Sequence, residues 1–232
     1  MKDIFLVDAD DTLLDFHGVS ETALKEAFVS SKLTWKEEYL QEYKRINDGL
    51  WQALERKELS RTELMDRRFH IYLSALGLGE ADADSFNREY IRILSTRPVY
   101  IDGAEDFLKA LKEKGKVYIV TNGTAEIQKS RFTIGKLYEK TDGVFVSQEA
   151  GYDKPDRRYT DYVIERIPHF KKERAVWIGD SLTADVKAAQ DAGITSIWYN
   201  PHKKAGNGKI FADYQAENYQ EILDILHEIQ GN

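Results

Sequence analysis

The apolar residues of this chain gather into short runs that stop abruptly at polar clusters. Ile4 to Val7, Val117 to Val120, Val144 to Val146, Ala175 to Ile178 and Ser196 to Tyr199 are short, rich in β-branched or aromatic residues, and without polar alternation. Strands buried on both faces of a parallel sheet read this way. Between the later runs, Ala104 to Lys114, Ala125 to Leu137, Arg157 to Ile167 and Thr183 to Ala192 have helical spacing. The alternation predicts right-handed βαβ units and an α/β fold with a doubly wound, Rossmann-like parallel sheet. Asp156 marks a helix start, Pro168 a stop and Gly193 a C-terminal cap, and Asn218 to Ile229 reads as a last amphipathic helix.

Residues 16 to 97 interrupt the alternation, because strand-to-helix connections are normally a few residues long. Within them Glu21 to Ser31, Lys36 to Arg56, Arg61 to Leu78 and Ala83 to Leu94 carry apolar residues three and four apart. The expectation is a core domain of residues 1–15 and 98–232. A helical-bundle cap of residues 16–97 is inserted after the first strand, over the sheet's carboxyl edge.

Composition narrows the chemistry. A chain of 232 residues with 42% hydrophobic content can bury one substantial core, or one core and a smaller insert. Cysteine is absent, which removes disulfides, thiolate metal sites and cysteine nucleophiles. The formal charge of −7 disfavours long nucleic acid, whose binding needs a basic surface. The four-residue apolar run before the first acidic cluster fits neither a signal peptide nor a membrane span, so no membrane partner and a cytoplasmic location are expected.

The candidate chemistry lies where the apolar runs end. Ile4 to Val7 leads into Asp8-Ala9-Asp10-Asp11-Thr12, Val117 to Val120 into Thr121-Asn122-Gly123, and Ala175 to Ile178 into Gly179-Asp180-Ser181. All carboxyl ends of a parallel sheet share one edge, so these clusters converge. Gathered carboxylates repel one another, and a hard divalent cation held through oxygen, Mg2+ by preference, relieves that. With Lys154 from Lys154-Pro155-Asp156, the set suits phosphoryl transfer.

DADDT, TNG, KPD and GDSLTAD, in this order, resemble the four motifs of haloacid dehalogenase-like hydrolases. That resemblance implies Asp8 as nucleophile and Asp10 as general acid and then base. Thr121, with the backbone of Asn122 and Gly123, would bind the phosphoryl group, and Lys154 would balance charge on it and on Asp8. Asp8, Asp180 and the Asp10 carbonyl would hold Mg2+, and Asp185 would orient a metal-bound water. Asp10 argues against dehalogenation, since the dehalogenases have no acid there. The family commonly has glycine where this chain has Asp11. A positive φ there would strain an aspartate, though less than most residues. The Ile46 to Trp51 segment, Arg68-Phe69 and Trp198 to His202 are similar to bacterial house-cleaning pyrimidine 5′-nucleotidases, which implies nucleoside 5′-monophosphate substrates.

Plainer readings stand beside these. Asp185 is equally readable as an exposed helix residue. His17, His70, His169, His202 and His227 lack metal-ligand spacing. Trp51, Phe69 and Tyr72 read as packing rather than base stacking, and Lys203 to Lys209 as a solvated turn. A sugar-phosphate or phosphoglycolate-type phosphatase, a phosphomutase and a non-catalytic magnesium- or phosphate-binding module are the alternatives. Oligomeric state is not readable.

Overall fold

In the computed structural model, which describes residues 2–231, the chain divides into two compact units, Met1–Phe16 with Pro98–Asn232, and His17–Arg97. The sheet of the first unit is built from β1 (Ile4–Val7), β2 (Lys116–Thr121), β3 (Gly143–Val146), β4 (Ala175–Gly179), β5 (Thr195–Tyr199) and β6 (Tyr214–Ala216). The strands run in the order β3-β2-β1-β4-β5-β6, and every pairing is parallel. The order reverses between β1 and β4, the switch point at which open α/β sheets bind ligands.

The lack of polar alternation in the strands follows from burial on both faces. Phe5, Val7, Val117, Ile119, Val176 and Ile178 pack with Phe107, Leu111, Phe132, Ile222 and Leu226. Their neighbours Ile4, Leu6, Tyr118, Val120 and Trp177 pack with Tyr159, Val163, Ala188 and Ala192. The helices expected for this unit supply these faces, joined by two short ones at 137–140 and 147–150. They are α5 (Ala104–Lys114), α6 (Ala125–Ile134), α7 (Leu137–Lys140), α8 (Ser147–Ala150), α9 (Arg157–Arg166), α10 (Lys187–Ala192) and α11 (Tyr219–Gly231). Two differences stand out. The segment read as one helix from Ala125 breaks after Ile134, because Lys136 takes a left-handed backbone with φ 56°. The first turn of the helix read from Thr183 is a wider π turn, Leu182–Val186.

The second unit is helical, with α1 (Phe16–Ser30), α2 (Glu38–Glu55), α3 (Arg61–Ala75) and α4 (Ala83–Thr96) contributing its core. Ser60 and Glu63 form a capping box at the start of α3, and the Asp82 side chain caps α4. Phe28, Tyr43, Phe69, Tyr72, Phe86 and Tyr90 are buried against one another, with Phe69 and Tyr90 ring centroids 4.9 Å apart. Phe69 and Tyr72 are therefore packing residues. Trp51 is half-buried, with the Arg61 guanidinium over its ring. Among the described residues no helix is long and apolar enough to cross a membrane.

Candidate active site

The ladder of β1 continues one residue past the strand, where the Asp8 amide donates to the Ile178 carbonyl. Asp8 is thereby held at the switch point with its side chain buried. One carboxylate oxygen accepts from Lys154 Nζ at 2.6 Å and the other from Thr12 Oγ1 at 3.2 Å. The chain then turns sharply. Asp11 has φ 57°, the left-handed conformation that makes glycine common here, and its amide donates to the Leu14 carbonyl. Asp is among the residues that tolerate that conformation best.

Lys154 spends all three of its donors inside the protein, on Asp8, on Asp185 Oδ1 at 2.7 Å and on the Val120 carbonyl at 2.8 Å. Loss of solvent would pull its proton off, but Asp185 and Asp8 outweigh that and hold it well above the ordinary lysine range. Its backbone is fixed by Asn122, whose amide oxygen accepts from the Lys154 N–H and whose amide nitrogen donates to the Lys154 carbonyl. Sequence reading assigned Asn122 a backbone role; its side chain serves as a brace for the lysine segment.

Asp185 is not an exposed helix residue. It is 2% exposed, and it accepts from Lys154, from Trp177 Nε1 and from the Ser181 amide. Gly179 makes room for it, since a Cβ at that position would lie 2.3 Å from Asp185 Cγ. Asp180, at the end of β4, is partly exposed and lies 3.4 Å from Lys204 Nζ. Loss of solvent first, then Asp11 and Asp185, push its carboxyl up to about 7. Burial pushes Asp8 up too, with Asp185 and Asp180 adding to it and Lys154 opposing.

Oxygen atoms of Asp8, Asp180 and Asp185 all lie within 4.8 Å of one another. Two ionised carboxylates at that separation repel by roughly 3 to 4 kcal/mol at an effective dielectric constant near 20. The buried Lys154 and the exposed Lys204 are two cations against three such charges. The donors are all hard oxygens, with no histidine or thiolate among them, so the set fits a cation such as Mg2+ better than a transition metal.

Thr121 closes β2, and Gly123 follows. The Thr121 hydroxyl accepts from the Gly123 amide at 3.1 Å and from Gln128 Nε2 at 3.0 Å. With both lone pairs taken, its O–H remains to donate. Asp10, the third residue of the acidic cluster, has one oxygen on Gln128 Nε2 at 2.8 Å and the other on Arg131 Nη1 at 2.5 Å. Neither Gln128 nor Arg131 was expected from the sequence. Their only signal was a polar pair three residues apart on the helix that follows Thr121-Asn122-Gly123. Lys203 to Lys209 is an exposed turn, as its composition suggested.

Residues 2–193 match the haloacid dehalogenase-like hydrolase family. HAD-hydrolase YfnB of Bacillus subtilis is 37% identical over 96% of this chain and 94% of its own length. Its crystal structure, described as bound to magnesium and revealing interdomain movement, superposes with a TM-score of 0.91 over 97% of this chain and 98% of that one, at 36% identity. Pyrimidine 5′-nucleotidase PynA of Streptococcus pneumoniae is 34% identical over 95% of this chain and 93% of its own. Pyrimidine 5′-nucleotidase YjjG of Escherichia coli is 25% identical over 97% of both. Motifs, sheet topology and relatives converge: the chain belongs to the haloacid dehalogenase-like hydrolases.

Proposed function

We propose that this protein is a magnesium-dependent phosphomonoesterase that works through an aspartyl-phosphate on Asp8, with pyrimidine nucleoside 5′-monophosphates as preferred substrates. One observation supports the mechanism above the rest: two carboxylates two residues apart each meet a buried cation, one enclosed and the other partly open. Asp8 is buried against Lys154, as a nucleophile needs, while Asp10 lies on Gln128 and Arg131 beside Thr121.

A carboxylate oxygen of Asp8 forms the bond to phosphorus as the bond from phosphorus to the ester oxygen breaks. Asp10 supplies the proton that the departing alkoxide takes. In the second half water attacks phosphorus, gives its proton to Asp10 and displaces Asp8, releasing inorganic phosphate. Thr121 offers its free O–H to a phosphoryl oxygen, and Lys154 holds Asp8 in place and opposes the burial that raises its carboxyl. Asp8, Asp180 and the Asp10 carbonyl would hold Mg2+, with Asp185 supporting the site; the ion, when bound, supplies neutralisation of charge on the transferring group. The substrate class rests on the relatives named pyrimidine 5′-nucleotidases.

The test is inorganic phosphate release from a panel of nucleoside monophosphates and sugar phosphates, with Mg2+ and with chelator. The expected result is Mg2+-dependent release favouring pyrimidine monophosphates, lost on the order of a thousandfold or more in Asp8→Asn. Preference for sugar phosphates would keep the mechanism and discard the substrate class. Substantial activity in Asp8→Asn would discard the nucleophile.

A further inference from the structure

The pair on α6 does more than fill space. Gln128 and Arg131, three residues apart and so on one helical face, are each 1% exposed. Gln128 Nε2 donates to both Asp10 Oδ2 and Thr121 Oγ1, and its carbonyl oxygen accepts from Arg131 Nη1 at 2.9 Å. Arg131 Nη1 also donates to Asp10 Oδ1, so both oxygens of Asp10 are taken by this pair. Gly123 is shaped around the arrangement: a Cβ there would lie 2.4 Å from Gln128 Cγ and Nε2.

Stability alone does not account for this arginine. Burying a guanidinium costs several kcal/mol, and an apolar residue of similar volume is often as stable or more so. Arg131 moreover leaves its Nε and Nη2 without a partner among the described residues. What the pair does provide is one fixed orientation of a carboxylate that would otherwise rotate freely about χ1 and χ2, and a shared nitrogen that ties it to Thr121.

We propose that Gln128 and Arg131 are positioning residues that hold the Asp10 carboxylate beside Thr121, in register with the ester oxygen it must protonate. This rests on the phosphatase reading above. Neither residue touches the phosphoryl group in this account; both act through Asp10.

The experiment follows alcohol release in the first turnover by rapid quench, for an alkyl phosphate (uridine 5′-monophosphate) and an aryl phosphate (p-nitrophenyl phosphate). It compares wild type, Arg131→Met, Arg131→Lys and Gln128→Met. Only the alkyl leaving group needs the proton. The expected result for Arg131→Met is a loss on the order of a hundredfold with the alkyl ester and under about threefold with the aryl ester, with part of it restored in Arg131→Lys; Gln128→Met, which also releases Thr121, is expected to slow both esters and the alkyl one more, by about tenfold beyond the aryl. Equal losses on both esters, or no loss on either, would overturn the proposal while leaving the phosphatase reading intact. A wild type that releases no alcohol would overturn both. Circular dichroism identifies a variant that fails to fold, in which case the remaining two decide by the same criterion.

Discussion

Gly179 shows how a single hydrogen atom at Cα decides the geometry of a charged group several residues away. Asp185 can approach β4 and reach Lys154, Trp177 and the Ser181 amide only because no side chain stands at position 179. Gly179→Ala puts a methyl group 2.3 Å from Asp185 Cγ, and Asp185 is too firmly held to give way freely. Overpacking of this kind costs about 1 to 3 kcal/mol. The expected outcome is a lower melting temperature together with loss of turnover, since Lys154 loses a partner. A melt and activity unchanged from wild type would show that Asp185 moves at no cost. Asp11 makes the complementary point, because its left-handed φ of 57° was foreseeable from the commoner glycine at that place.

At the scale of elements, the helical unit is specified by more than its apolar stripes. Tyr90 on α4 lies inside the bundle with its hydroxyl 2.8 Å from Ser20 Oγ on α1 and 2.7 Å from Tyr43 Oη on α2. The Arg68 guanidinium lies over the rings of both Tyr90 and Phe69. Three helices are thus tied by one buried hydroxyl. Tyr90→Phe keeps the packing but takes the partner from the buried Ser20 hydroxyl and leaves Tyr43 only Asn47, at about 1 to 3 kcal/mol. We expect a melting temperature lower by several degrees with no change in the fold seen by circular dichroism, a shift that thermal denaturation reads directly. The helices themselves were legible because their apolar residues recur three and four apart; this polar tie was not, since nothing in the spacing of Ser20, Tyr43 and Tyr90 reveals that they meet.

For the whole molecule, the acidic crevice links stability to pH and to metal. Asp180 has a carboxyl pushed up to about 7, against about 4 in an unfolded chain. Between those values the folded protein holds a proton that the unfolded chain has released, so metal-free stability falls as pH rises from about 4 to about 7. The loss is on the order of 4 kcal/mol, and Asp8 shifts in the same direction. A bound cation favours the ionised carboxylates and removes that cost. Magnesium is therefore expected to raise the melting temperature more at pH 8 than at pH 5.5, measured against chelator. An equal or larger shift at the lower pH would contradict the cation site at Asp8, Asp180 and Asp185.

The sequence by itself determined the parallel α/β core, because strands buried on both faces must be apolar throughout. It also determined that Asp8, Thr121 and Asp180 share an edge, because parallel strands put every carboxyl end on one side. It did not reveal β6, whose three residues Tyr214-Gln215-Ala216 are too few for a pattern and become a strand only by pairing with β5. Tertiary structure alone decided that Lys154 spends its donors on Asp8, Asp185 and Val120, that the Asn122 side chain braces that lysine, and that Gln128 and Arg131 close on Asp10. The physical reason is common to all of these. Periodicity reports which face of an element is buried, whereas a hydrogen bond between residues 31 to 146 positions apart depends on where folded elements place individual atoms.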